Sequence, residues 1–181
     1  MALLKIARMG HPVLTTRAVR VPDPGATDIR RLVADMLETM EDAGGTGLAA
    51  PQVHAPLSIF VFKVSPARAS GLPGDEAVGH TVLINPEVEP VDDAMQLCWE
   101  GCLSIPGLRG LVPRHQRVRY RGVDCDGTEL AREASGFHAD VVQHEYDHLN
   151  GILYPMRIVD FSRFGFSEEV GRAEQARQEA A

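Results

Sequence analysis

Residues 136–149 read GFHADVVQHEYDHL, and this stretch restricts the fold more than any other. Its spacing predicts a helix from about 136 to 149, closed by Asn150-Gly151. Phe137, Val141, His144 and His148 fall on one stripe; Ala139, Val142, Tyr146 and Leu149 fall on another. A helix that is apolar on most of its circumference is buried, so the rest of the chain must wrap around it. His144 and His148 are four apart, so their imidazoles sit one turn apart on one face and can grip a single ion. Glu145 lies beside His144 and can reach a water on that ion without being a ligand. This is the pattern of metal-activated hydrolysis, in which the ion lowers the pKa of water toward neutrality and the carboxylate shuttles the proton. The chain has seven histidines in 181 residues, and chance supplies roughly 0.02 such pentads. The alternative is a satisfied polar cluster in the core, which must pair two imidazoles and a carboxylate away from water.

The length fits one domain, 1–181, with about 161–181 as a C-terminal helical tail. The composition is 44% hydrophobic and 24% charged, ordinary for a globular protein. The net charge of −7 argues against a general basic surface for nucleic acid. No run of 18 apolar residues occurs, so no membrane span is expected, and MALLKIARMG is too weakly apolar for a secretory signal. Three cysteines, Cys98, Cys102 and Cys125, point to free thiols or metal ligation rather than a disulfide framework. A first helix is expected after Asp28 as its cap, with Ile29, Leu32, Val33, Met36, Leu37 and Met40 at helical spacing and Gly44-Gly45 as its end. TGLAAPQVH (46–54) reads as a loop, 57–64 as a buried strand and 65–80 as a surface loop. TVLI (81–84) reads as a short strand stopped by Asn85-Pro86. Residues 117–125 and 128–134 read as a hairpin around Asp126-Gly127. The fold class is therefore α+β: antiparallel sheets packed around a central metal-binding helix, with a C-terminal helix.

A zinc protease of the HExxH type needs a downstream third ligand. No histidine follows His148, and Glu168, Glu169 and Glu174 lie in a charged tail. Cys102, in the Gly-containing segment EGCLS, is the better candidate. Cys98 and Cys125 read as small core residues. The Gln52 amide follows a small-residue loop that permits close approach, and the Leu103 N–H follows Cys102; both are candidate donors to a developing oxyanion. Asp147 is off the ligand face and is expected in a salt bridge with Arg114. His11, His54, His80 and His115 are expected at the surface.

Three segments, Gly45-Thr-Gly-Leu-Ala-Ala-Pro-Gln52, Glu100-Gly-Cys-Leu-Ser104 and Gln143-His-Glu-Tyr-Asp-His-Leu149, resemble in that order the three signature motifs of the peptide deformylases. The resemblance runs from about residue 4 to about 160. It implies removal of the N-formyl group from the initiator methionine of newly synthesised proteins, with release of formate. It implies one divalent ion per chain, natively Fe(II) and replaceable by zinc, nickel or cobalt, held by Cys102, His144 and His148. It makes Glu145 the general acid/base, and Gln52 and the Leu103 N–H the oxyanion donors. Gly47 then lies beside the substrate, and Arg109 matches a basic position near the cleft. An apolar methionine pocket is expected around Phe137 and Val141, with Thr46 in contact. The partners implied are N-formylmethionyl peptides and nascent chains, with a possible transient ribosome contact through tail arginines (Arg163, Arg172, Arg177). No membrane partner is implied. A monomer in the bacterial cytoplasm, or in an organelle, completes the expectation. Three departures from the family stand out: Thr46 for Ile or Val, His54 where Gly is common, and the length of 65–80.

Overall fold

The computed structural model describes residues 2–179; the first residue and the last two, which the expected domain and tail include, lie outside it. The chain runs α1 (Thr27–Asp42), β1 (Gly47–Ala49), β2 (Ile59–Val64), β3 (Val78–Pro90), β4 (Met95–Cys102), β5 (Ile105–His115), β6 (Arg117–Val123), β7 (Glu129–Ser135), α2 (Gly136–Leu149), β8 (Phe164–Phe166) and α3 (Ser167–Glu179). One sheet has the order β1-β2-β3-β6-β7 and the other β4-β5-β8, with all pairings antiparallel. The expected α+β class and central helix are borne out: α2 packs against strands of both sheets.

Alternation in β2 builds two cores from one strand. Phe60 and Phe62 face α2, packing with Leu83, Tyr120, Ala139 and Val142. Ile59 and Val61 face α1, packing with Ile29, Val33, Met36 and Met40. A third cluster lies under the small sheet, where Ile105, Val112, Leu153, Tyr154 and Ile158 meet. The 46–54 segment, expected as a loop, holds β1 and a one-turn 3-10 helix, Ala50–Val53.

Two boundaries differ from the sequence reading. Asp28 is not the cap of α1. Ala26 is, and the Asp28 carboxylate accepts from the next N–H, that of Ile29, from inside the first turn. The strand at 81–84 does not stop at Asn85-Pro86 but runs from Val78 to Pro90, with a register shift between Ile84 and Glu87. The irregularity absorbs both residues. Asn85 takes φ +52, its amide exchanges hydrogen bonds with the backbone of Val21 at 2.8 and 2.9 Å, and Pro86 falls where no ladder N–H is needed. The tail is not helical throughout: a 3-10 turn at Phe161–Arg163 leads into β8, which pairs with β5 before α3 begins.

The loop 65–77 is docked rather than free. Ser135, the cap residue of α2, makes no side-chain cap bond. Asp75 does this from the loop instead: it accepts from the His138 and Ser70 N–H groups, both at 3.1 Å. The Ser135 N–H and hydroxyl in turn donate to the Gly74 and Pro73 carbonyls.

Candidate active site

A cavity of about 940 Å³ opens between the exposed edges of the two sheets, β1 on one side and β4 on the other, with α2 as its floor. Thr46, Gly47, Gln52, Cys102, Leu103, Arg109, Phe137, Val141, His144 and Glu145 all line it. Every expected site residue is therefore brought to one cavity except His148, which lies just beneath, 1% exposed. The Cys102 Sγ and one ring nitrogen each of His144 and His148 all lie within 4.8 Å of one another. Cys102 Sγ is 3.3 Å from His148 Nε2. A thiolate and two imidazoles at this spacing are the donor set of a tetrahedral site with an open position. Among the described residues no other cluster of this kind occurs. The tail glutamates are engaged elsewhere, Glu169 with Arg172 and Glu174 with Arg163 and Arg177.

Three features aim these groups. Cys102 closes β4 at a tight turn that pairs it with Ile105. His144 is fixed by its other nitrogen, since Nδ1 meets Glu100 Oε2 at 2.7 Å, and its ring is stacked on Tyr154. Glu100 in turn receives Arg114 Nε at 2.6 Å and Nη2 at 3.0 Å. Arg114 also donates to Asp147 at 2.6 Å, as the sequence suggested, and Asp147 is held from outside by Arg157. Burial alone would raise the Glu100 carboxyl, but hydrogen bonding and charge from His144, then from Arg114, bring it down to about 2. The sequence reading gave Glu100 no role. The one available signal was an acid two residues before the thiolate in a strand, because metal-bound histidines need a partner on the far nitrogen. Gln143 also went unremarked: its amide clamps the His115 backbone, N–H at 3.0 Å and carbonyl at 2.9 Å, tying α2 to β5.

Glu145 is 4% exposed, and its Oε2 has no hydrogen-bond partner. Burial pushes its pKa up to about 7, against the pull of His144. Its carboxylate fits against bare backbone: a Cβ on Gly47 would lie 2.3 Å from Glu145 Oε1. The Gln52 amide is oriented at both ends. Oε1 accepts from the Ala49 N–H at 2.8 Å, and Nε2 points to Ser104 Oγ at 3.2 Å and Cys102 Sγ at 3.5 Å. Leu103 packs on the facing wall, close to Gly45.

Cys98 is a correction. It is half-buried and lines the cavity rather than the core, where burial and then the Asp140 carboxylate push its thiol pKa up, because β4 is an edge strand with one face on the cleft. Of the four histidines expected outside the site, His11, His54 and His80 are exposed and His115 is half-buried. His54 holds φ +65, which explains why glycine suits that position.

The family model for polypeptide deformylases matches residues 3–164. A peptide deformylase of Nitrosomonas europaea is 50% identical over 90% of this chain and 92% of its own length. One from Ralstonia nicotianae is 52% identical over 90% and 91%. Among solved structures, the Ehrlichia chaffeensis peptide deformylase in complex with actinonin superposes with a TM-score of 0.81 at 32% identity, covering 97% of this chain and 98% of that one. The Thermotoga maritima peptide deformylase gives 0.78 at 34% identity, over 88% and 100%. With the motifs, the cavity and the Cys-His-His group all in agreement, the chain belongs to the polypeptide deformylase family.

Proposed function

We propose that this protein hydrolyses the formyl amide at the initiator methionine of newly synthesised chains, releasing formate. The observation that carries this reading is Glu145: a buried carboxylate with one unpartnered oxygen, seated on Gly47 beside Cys102, His144 and His148. Those three residues would hold one divalent ion. The thiolate and the Glu100-anchored imidazole suit that role, and Fe(II) is the proposed native ion, with zinc, nickel or cobalt as substitutes. Bound there, the ion supplies Lewis acidity, acidifying water and polarising a carbonyl.

The remaining chemistry falls to the chain itself. Glu145 takes a proton from the attacking water as its oxygen bonds to the formyl carbon. The carbonyl oxygen, now an oxyanion, is met by Gln52 Nε2 and the Leu103 N–H. Glu145 then passes its proton to the methionine nitrogen, the C–N bond breaks, and formate leaves. Phe137 and Val141 offer apolar surface for the methionine side chain, with Thr46 at its margin. The free edges of β1 and β4 offer backbone groups to an extended peptide, which explains how later residues can vary. Arg109 sits where that peptide leaves. Residues 1–181 act as one catalytic domain with a tail from about 161, as a monomer in the bacterial cytoplasm. No described helix is long and apolar enough to cross a membrane. A transient ribosome contact belongs to the same proposal, but the tail arginines are already paired with tail glutamates, so that contact would have to exchange partners.

The test is deformylation of a formyl-Met dipeptide with anaerobic metal analysis. Glu145→Gln should keep the metal and lose at least about a hundredfold in kcat; unchanged turnover would remove Glu145 from the mechanism. Cys102→Ser should lose metal or activity, and full retention of both would favour a tail ligand.

A further inference from the structure

We infer that the cleft prefers formylated peptides with acidic side chains a few residues after the methionine, and that Arg8, Arg68 and Arg109 select them. This rests on the deformylase reading. The chain carries a net charge of −7, yet three arginines from three separate elements line the cavity. Arg8 lies on the N-terminal segment, which is fixed by the Ala7 N–H to the Gln52 carbonyl at 2.7 Å and the Met9 N–H to the Ser104 carbonyl at 2.9 Å. Arg68 belongs to the docked β2–β3 loop, its guanidinium 3.9 Å over the Phe137 ring. Arg109 stands in β5, 4.5 Å over Trp99.

The three share one state, which Arg17, Arg20 and Arg132 also have outside the cavity. Among the described residues none of them forms an ion pair, whereas Arg117, Arg119 and Arg121 of β6 each meet a surface carboxylate. Stacking fixes the guanidinium planes of Arg68 and Arg109 while leaving their N–H edges free. Arg109 Nε is buried with no hydrogen-bond partner at all, an orphan donor whose desolvation is uncompensated until something accepts from it. The cavity's carboxylates do not cancel this. Glu145 is buried on the floor helix, Glu100 is closed off by Arg114 and His144, and Asp140 accepts from Gln96 at 2.8 Å. Charge is thus separated by depth, with paired or buried acids on the floor and unpaired cations toward the opening. A peptide with its formyl group on the floor advances about 3.3 Å per extended residue, so the residues after its methionine run through a cavity that the three arginines line.

Each exposed arginine–carboxylate contact should favour an acidic substrate by about two- to fivefold, and two or three together by about tenfold. The probes are C-terminally amidated formyl-Met-Ala-Glu-Glu and formyl-Met-Ala-Gln-Gln. The expected result is a kcat/KM ratio near tenfold at low salt, falling below about twofold at about 0.5 M KCl as screening takes over. Arg68→Glu, at an exposed position, should cut the ratio at least about threefold, and Arg109→Gln should also lower it. A ratio of one or less at low salt, or one that neither variant changes, overturns the proposal. If neither peptide is hydrolysed, the deformylase reading itself fails. Calorimetric binding of the unformylated Met-Ala-Glu-Glu and Met-Ala-Gln-Gln amides then judges the arginines separately: tighter binding of the acidic peptide upholds the charge selection, and equal affinity ends it.

Discussion

A methyl group at position 47 would fall on the Glu145 carboxylate. The 2.3 Å separation from Oε1, with the carboxyl carbon at 2.6 Å, leaves no room for any side chain. The glycine is therefore required by contact and not by a left-handed φ. Gly47→Ala should displace Glu145 while leaving Cys102, His144 and His148 in place. The expected outcome is retained metal content, a similar melting temperature, and kcat lower by about a hundredfold, in line with loss of general-base help; metal loss instead would mean that the displacement spreads along α2. The pentad and the Gly-Thr-Gly segment were both legible in the sequence, but their mutual contact was not, because it joins residues about a hundred positions apart. A shorter separation, 44 positions, was enough to hide Glu100. Its acid type was visible, but its pairing with His144 depends on β4 running alongside α2.

The start of α2 shows how elements borrow from each other. Its local sequence offers Ser135 as a cap, and that serine instead ties down the loop at Pro73, while Asp75 caps the helix from a distance. Burial works against the Asp75 charge, but hydrogen bonds from the Ser70 side chain and from the His138, Ser70 and Phe137 N–H groups outweigh it and lower its pKa. Asp75→Ala should therefore cost about 1–2 kcal/mol in urea unfolding and speed amide exchange at Phe137 and His138. An unchanged exchange rate there would refute the cap. One turn in, His138 is buried against Tyr120, its Nε2 3.0 Å from the hydroxyl. Burial, then the charge of Arg132, lower its pKa below 6.5 against the opposing pull of Asp75 and Glu76. Below pH 6.5 the unfolded chain takes up this proton and the folded chain does not, so the folded state loses stability as pH falls from 6.5 through the lowered folded pKa. In His138→Gln this component is absent. The variant's stability deficit should thus shrink between pH 8 and pH 5.5, and a deficit independent of pH would show that His138 titrates normally.

At the scale of the whole molecule, legibility followed contact range. The central helix, the buried 57–64 strand and the α+β class came from local periodicity, and all three stand. The sheet partition did not, because which strands form the five-stranded sheet and which the three-stranded one is decided by packing on either side of α2. The tail shows the same limit. Its charge pattern suggested a helix alone, yet Phe164, in β8, sits beside Tyr154 and over Gly110, where a Cβ would meet its ring at 3.0 Å. Tyr154 is the residue stacked on His144, so β8 braces α2 through one intermediate ring, whereas α3 touches mainly β5 and β8. Two truncations separate these contributions. A chain ending after Phe166 loses only α3 and should unfold within about 2 °C of the full protein. A chain ending after Asp160 also loses β8, uncovering the apolar surface of Ile158 and Tyr154 that Phe164 covers, a cost of about 2 kcal/mol and a fall of roughly 4–8 °C. Both should retain the metal, because Cys102, His144 and His148 all precede the cut. Equal melting temperatures for the two truncations would show that β8 is an ornament of the sheet edge and not a brace for α2.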